Sequence, residues 1–129
     1  MCNQAAQRRV RKILIIEDNA LNRALLLAVL QAAGYQVQIA EDGQSGIDLA
    51  RHEHPDLILM DIMLPVLDGY EVMRRLKANP QTRQIPILAI TAHFSPTERE
   101  QALAAWCDGY ITRPIDTRAL PGQIRLFVP

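Results

Sequence analysis

Short aliphatic runs of strand length alternate along the chain with stretches whose apolar residues recur at helical spacing. That alternation predicts crossover units wound around a parallel sheet. Ile13 to Ile16 is wholly aliphatic and stops at Glu17-Asp18-Asn19, after which Leu21, Leu25, Ala28 and Ala32 mark one helical face up to Gly34. Val37 to Ala40 reads as a second strand and Gly43 to Arg51 as a short helix, weakened by Gly43 and Gly46. Leu57 to Met60 is a third strand, bounded by Pro55 and halted by Asp61; a loop with Pro65 and Gly69 leads into a helix from about Tyr70 to Ala78. Pro86 to Ile90 gives a fourth strand, and Ser95-Pro96-Thr97-Glu98 has the form of a capping box with proline at the first helical position. Gly109 to Ile111 makes a short fifth strand. The last helix is expected from about Asp116 or Thr117, with Pro121 and Gly122 disturbing its first turns. The pattern predicts an α/β fold: a doubly wound, five-stranded parallel sheet flanked by five helices.

Composition narrows the class. At 129 residues the chain suits one domain, taken as residues 11–129 behind a frayed tail at 1–10, and such a domain buries a core without disulfides. Lysine plus arginine equal aspartate plus glutamate at 14 each, so no net field favours nucleic acid or an anionic membrane. Cys2 and Cys107 make neither a disulfide framework nor a zinc set, which points to a reducing cytoplasm. No apolar run reaches the length of a membrane span, and Met1 to Arg11 lacks the apolar stretch of a secretory signal. His52 and His54 read as surface residues, and His93 falls in the loop after the fourth strand.

The chemistry concentrates where strands end. In an open parallel sheet ligands bind at the carboxyl ends of strands, near the reversal of strand order. The polar residues at those ends are Glu17 and Asp18, Asp61, Thr91 and, beyond the fifth strand, Arg113-Pro114. Three carboxylates in one place repel each other and raise one another's pKa unless a cation intervenes. An all-oxygen set favours magnesium. One carboxylate in such a site can attack phosphorus to form an aspartyl phosphate, with the Thr91 hydroxyl and the Arg113 cation offsetting charge on the phosphoryl oxygens. Each residue taken singly has a plainer reading. Asp18 or Asn19 can cap the first helix, Thr91 can be a satisfied hydroxyl at a strand end, and Arg113 can be a solvated surface residue. No glycine-rich phosphate loop follows the first strand, which argues against a nucleotide-hydrolysing enzyme.

In its motifs the chain resembles the receiver (CheY-like) domains of bacterial response regulators, from about Arg11 to Val128. The resemblance rests on Ile16 to Asn19, Pro55 to Pro65, Asp68-Gly69-Tyr70, Ile85-Pro86 through Thr91-Ala92, and Cys107 to Tyr110 leading to Pro114. Glu17 to Asn22 looks like the single-domain regulators of the cell-division type and the receivers of hybrid kinases. The resemblance implies a flavodoxin-like fold and Asp61 as phosphoacceptor. It also implies Mg2+ held by Glu17, Asp18, Asp61 and the Met63 backbone carbonyl, with Thr91 and Tyr110 as switch residues. The expected partners are a sensor histidine kinase or histidine phosphotransfer protein and a downstream protein target. The chain is expected to act in the cytoplasm as a monomer or weak dimer, as a signalling phosphoacceptor rather than an enzyme, its output exerted through protein contacts.

Two departures stand out. Arg113 replaces the lysine usual in the family before this proline, and guanidinium and ammonium are not interchangeable. The alternative reading is therefore a phosphorylation-insensitive pseudo-receiver acting as a binding module. The peptide bond before Pro114 is often cis in the family. Trp106 stands where the family commonly has glycine, at the end of the fourth helix, and reads either as partial core packing or, beside Tyr110, as an anchor on a partner face.

Overall fold

A computed structural model describes residues 10–64, 66–91 and 107–128. Five strands, β1 (Lys12–Ile16), β2 (Gln36–Ala40), β3 (Leu57–Asp61), β4 (Ile87–Thr91) and β5 (Gly109–Thr112), form one sheet of order β2-β1-β3-β4-β5. Every neighbouring pair is parallel. The described helices are α1 (Ala20–Ala32), α2 (Gly43–Glu53), α3 (Gly69–Ala78) and α4 (Leu120–Arg125). The expected helix at the Ser95 capping box, with His93 and Trp106, lies outside the described residues, as do the first nine residues of the tail.

Both faces of the sheet are covered at its centre, so β1, β3 and β4 read as continuous aliphatic runs rather than alternating ones, while the edge strand β2, Gln36-Val37-Gln38-Ile39-Ala40, alternates. Leu14, Ile16, Ile58, Met60 and Ala89 face α2 and α3, packing on Ile47, Ala50, Val72, Met73 and Leu76. Ile13, Ile15, Leu57, Leu59, Leu88 and Ile90 face the other way, against Leu26 and Leu30 of α1 and Leu120 and Ile124 of α4. Consecutive residues thus serve opposite cores, as the period of two in a strand requires.

Side-chain caps start the first three helices. Asn19 accepts the Asn22 N–H at 3.0 Å, Asp42 that of Ser45 at 2.8 Å and Asp68 that of Glu71 at 3.0 Å. The choice between Asp18 and Asn19 as cap therefore falls to Asn19. The last helix corrects the sequence reading: it begins at Leu120, not at Asp116 or Thr117. The Asp116 side chain accepts the N–H groups of Arg118 and Ala119 in a preceding turn. That late start puts Pro121 in the first helical turn, where its missing N–H costs nothing.

Candidate functional site

Strand order reverses between β1 and β3, whose following connections run to opposite faces. Ile16 is in register with Met60, which sets Glu17 level with Asp61 at the adjoining strand end. Glu17 is fully buried, Asp61 is 5 % exposed, and Asp18 lies open on the rim. Carboxylate oxygens of all three come within 4.8 Å of one another, and among the described residues they form the one such acidic group.

Successive residues of an ideal strand point to opposite faces, so Glu17 and Asp18 converge only because the chain leaves the strand there. β1 ends at Ile16 and the backbone bends at Asp18. The Asn19 N–H donates to Glu17 Oε2 at 3.2 Å. On the β3 side the Met63 N–H donates to Asp61 Oδ1 at 2.9 Å. The turn after Asp61 is held by the Gly69 N–H donating to the Ile62 carbonyl at 2.9 Å. Gly69 is needed for that approach, because a Cβ there would fall 2.6 Å from Ile62 Cα and 2.9 Å from the Asp61 carbonyl oxygen.

Arg113 enters from the end of β5. Its Nη2 donates to Glu17 Oε1 at 2.7 Å and to Asp61 Oδ2 at 2.8 Å, so one guanidinium nitrogen bridges two of the three carboxylates. The Arg113 N–H donates to the Thr91 carbonyl at 2.7 Å, tying this loop to the end of β4, and the Arg113-Pro114 bond is cis. Even with this cation present, burial, then the charge and hydrogen bond of Asp61, push the Glu17 carboxyl up to about 7, against the pull of the Asn19 N–H and Arg113. The site carries more negative charge than its own cations offset. Buried carboxylate oxygens, a rim aspartate and an open approach of about 450 Å3 lined by Asp18, Met63, Asp68 and Tyr70 suit a hard divalent cation.

Residues 13–125 match the response regulator receiver domain family. The chain belongs to that family. It is 41 % identical over 118 residues to the polar-differentiation response regulator DivK of Brucella ovis, which covers 92 % of this chain and 96 % of the relative. Its fold superposes with a TM-score of 0.86 on the receiver domain of the sensor histidine kinase PA1611 of Pseudomonas aeruginosa PAO1, solved with a magnesium ion coordinated in its active-site cleft. That pair is 34 % identical, covering 93 % of this chain and 98 % of the other. The receiver domain of Ssk1 from Saccharomyces cerevisiae, crystallised with the histidine phosphotransfer protein Ypd1, aligns with a TM-score of 0.85 at 28 % identity over 92 % of this chain and 88 % of that one. The flavodoxin-like, CheY-like receiver fold and a place in two-component signalling follow, with DivK-like regulators among its relatives. Receiver domains are signalling phosphoacceptors rather than enzymes in the ordinary sense. Among the described residues no helix is long and apolar enough to cross a membrane.

Of the residues singled out in the sequence, Glu17, Asp18, Asp61 and Arg113 meet in one cluster. Thr91 is 7 % exposed at the end of β4, in register with Thr112. Tyr110 is half-buried on β5 beside Ala89, packed on the core that α2 and α3 share. Met63 stands at the rim. One residue escaped the sequence reading. Arg23, near the start of α1, donates from Nη1 to the carbonyls of Glu17 at 3.0 Å and Asp18 at 2.9 Å. Its signal was a cation near a helix N-terminus, where the macrodipole disfavours positive charge unless something else holds it.

Proposed function

We infer that residues 11–129 act as a phosphorylation switch in which Asp61 accepts a phosphoryl group from a phosphohistidine on a sensor kinase or phosphotransfer protein. The observation that carries this reading is the convergence of Glu17, Asp18 and Asp61 with the Arg113 guanidinium at 2.7 and 2.8 Å from two of them. An Asp61 oxygen attacks phosphorus, the P–N bond breaks, and its electron pair stays on the imidazole nitrogen, which takes a proton. In the resting site Asp61 Oδ1 accepts from Met63 and Oδ2 from Arg113. Arg113 must therefore release Oδ2 before that oxygen can attack, and its fork of donors is then free to follow the incoming phosphoryl oxygens.

Glu17, Asp18, Asp61 and the Met63 carbonyl would hold Mg2+, which when bound supplies positive charge and alignment for the phosphoryl oxygens. Thr91, at the end of the neighbouring strand, offers a hydroxyl to the same group. A new dianion drawing in that hydroxyl frees space toward which the Tyr110 ring turns, changing the surface around β5 that a downstream protein reads. The buried, free Cys107 suits a reducing cytoplasmic setting.

The test is incubation with acetyl phosphate and Mg2+, followed by intact mass. A gain of one phosphoryl group, lost in Asp61→Asn, is expected. No gain under conditions that label another receiver domain would leave the pseudo-receiver reading in its place.

A further inference from the structure

We propose that Arg23 is a positioning residue for the metal site, clamping the β1–α1 bend so that Glu17 and Asp18 aim at one point. The inference rests on the reading of Glu17, Asp18 and Asp61 as a Mg2+ site. Two adjacent side chains diverge by default in extended backbone. Here one is fully buried and its neighbour lies on the rim, yet both reach the same acidic cluster as Asp61. The carbonyls of the two peptide units that follow these side chains are both taken by a single nitrogen, Arg23 Nη1, at 3.0 and 2.9 Å.

The clamp is itself held. Arg23 is the fourth residue after the Asn19 cap, and its backbone N–H donates to the Asn19 carbonyl at 3.0 Å, so the stem rises from a fixed helical turn. Its Nη2 pairs with Glu41 at 3.1 Å, just beyond β2. The Glu41 side chain is 73 % exposed, so this pair steadies the guanidinium but contributes little energy. The Arg23 side chain is only 18 % exposed, and its contacts to the two carbonyls are charge-assisted bonds that a water would replace without fixing direction. The Glu17 N–H donates to the Ala40 carbonyl at 3.1 Å, so the same few residues tie the ends of β1 and β2 together. Unlike Arg113, Arg23 bonds backbone and not the carboxylates, so it orients the ligands without competing for their oxygens.

Mg2+ alone, titrated calorimetrically into the full chain, tests this. Removing a group that orients metal ligands weakens binding by about 10- to 100-fold. Arg23→Met, which keeps the apolar stem, and Arg23→Gln, which keeps a polar head too short to reach the carbonyls, are both expected to raise the Mg2+ Kd by about tenfold. Arg23→Lys, retaining charge and donors, should recover part of that loss. Thermal unfolding of the metal-free variants separates positioning from simple support, since support lowers the melting temperature and leaves the Kd of the folded protein unchanged. A Kd within about twofold of wild type in whichever of the Met and Gln variants folds would overturn the inference while leaving the metal site standing. A wild-type chain that takes up no Mg2+ would overturn both.

Discussion

At the scale of single residues, Arg113 sets the problem. A lysine at this position would place a compact ammonium near the same oxygens, whereas the guanidinium presents a planar fork whose one nitrogen already contacts Glu17 and Asp61. Releasing Asp61 costs Arg113 a charge-assisted bond, worth a net of about 1.5–3 kcal/mol, part of which a lysine's own contact would also have to give up. Arg113→Lys is accordingly expected to raise the phosphorylated fraction at fixed acetyl phosphate by about fivefold, the equivalent of roughly 1 kcal/mol. Intact mass under matched conditions measures it, and equal fractions would show that the arginine is released at no cost. A second residue carries backbone strain. Val66 has φ 66 and is fully exposed in the loop between β3 and α3. A β-branched side chain in the left-handed region is an outlier, costing about 1–2 kcal/mol. Asparagine tolerates that region without the unfolded-state entropy of glycine. Val66→Asn should therefore stabilise the protein by about 1 kcal/mol in denaturant unfolding, seen as a higher midpoint at unchanged slope.

Elements show why some features were legible in the sequence and others were not. The aliphatic runs of β1, β3 and β4 marked those strands to within a residue, because a strand covered on both faces has no polar position to blur its limits. The acidic strand ends were equally clear, since a carboxylate directly after such a run has only the sheet edge to occupy. Glycines misled. Gly43 and Gly46 count against a helix by propensity, yet α2 runs through both and on to Glu53. At Gly46 an added Cβ would meet the Ile16 side chain at 2.4 Å, so the missing side chain is what lets α2 sit down on β1. Propensity is local, whereas this requirement arises only when helix and strand are packed together. The same holds for the start of α4, where the turn at Asp116 competes with a helix. Gly69 makes the point testable at the first turn of α3. Gly69→Ala would drive a methyl into the backbone of Ile62 and Asp61, which cannot swing aside as a side chain can. A loss of about 1–3 kcal/mol is expected from denaturant unfolding, together with weaker Mg2+ binding, because the displaced turn carries Asp61 and Met63.

For the whole molecule, the site sets stability against pH and metal. Native Glu17 holds its proton up to about 7, well above the ordinary 4.5 of a glutamate. Between those two values the native state binds more protons than the unfolded chain, so metal-free stability falls as pH rises. This group's contribution is fully present below about 4.5 and is lost as pH passes through about 7. The cause is burial first and the Asp61 charge second, so a neutral isostere should escape both. Glu17→Gln is expected to flatten that part of the curve and to make the metal-free protein more stable than wild type at pH 8, by up to a few kcal/mol. Mg2+ should reverse the order. A cation bound by the ionised Glu17 stabilises the wild type by about 3 kcal/mol at a hundredfold excess over Kd, and Glu17→Gln forfeits most of that gain. Denaturant unfolding of both proteins from pH 5 to pH 8, with chelator and then with Mg2+, gives four curves. If the wild-type and Glu17→Gln curves run parallel in chelator, the buried carboxylate is not the source of the pH dependence. If they cross on adding Mg2+, one buried glutamate accounts for a fold strained when empty of cation and secured when supplied with one.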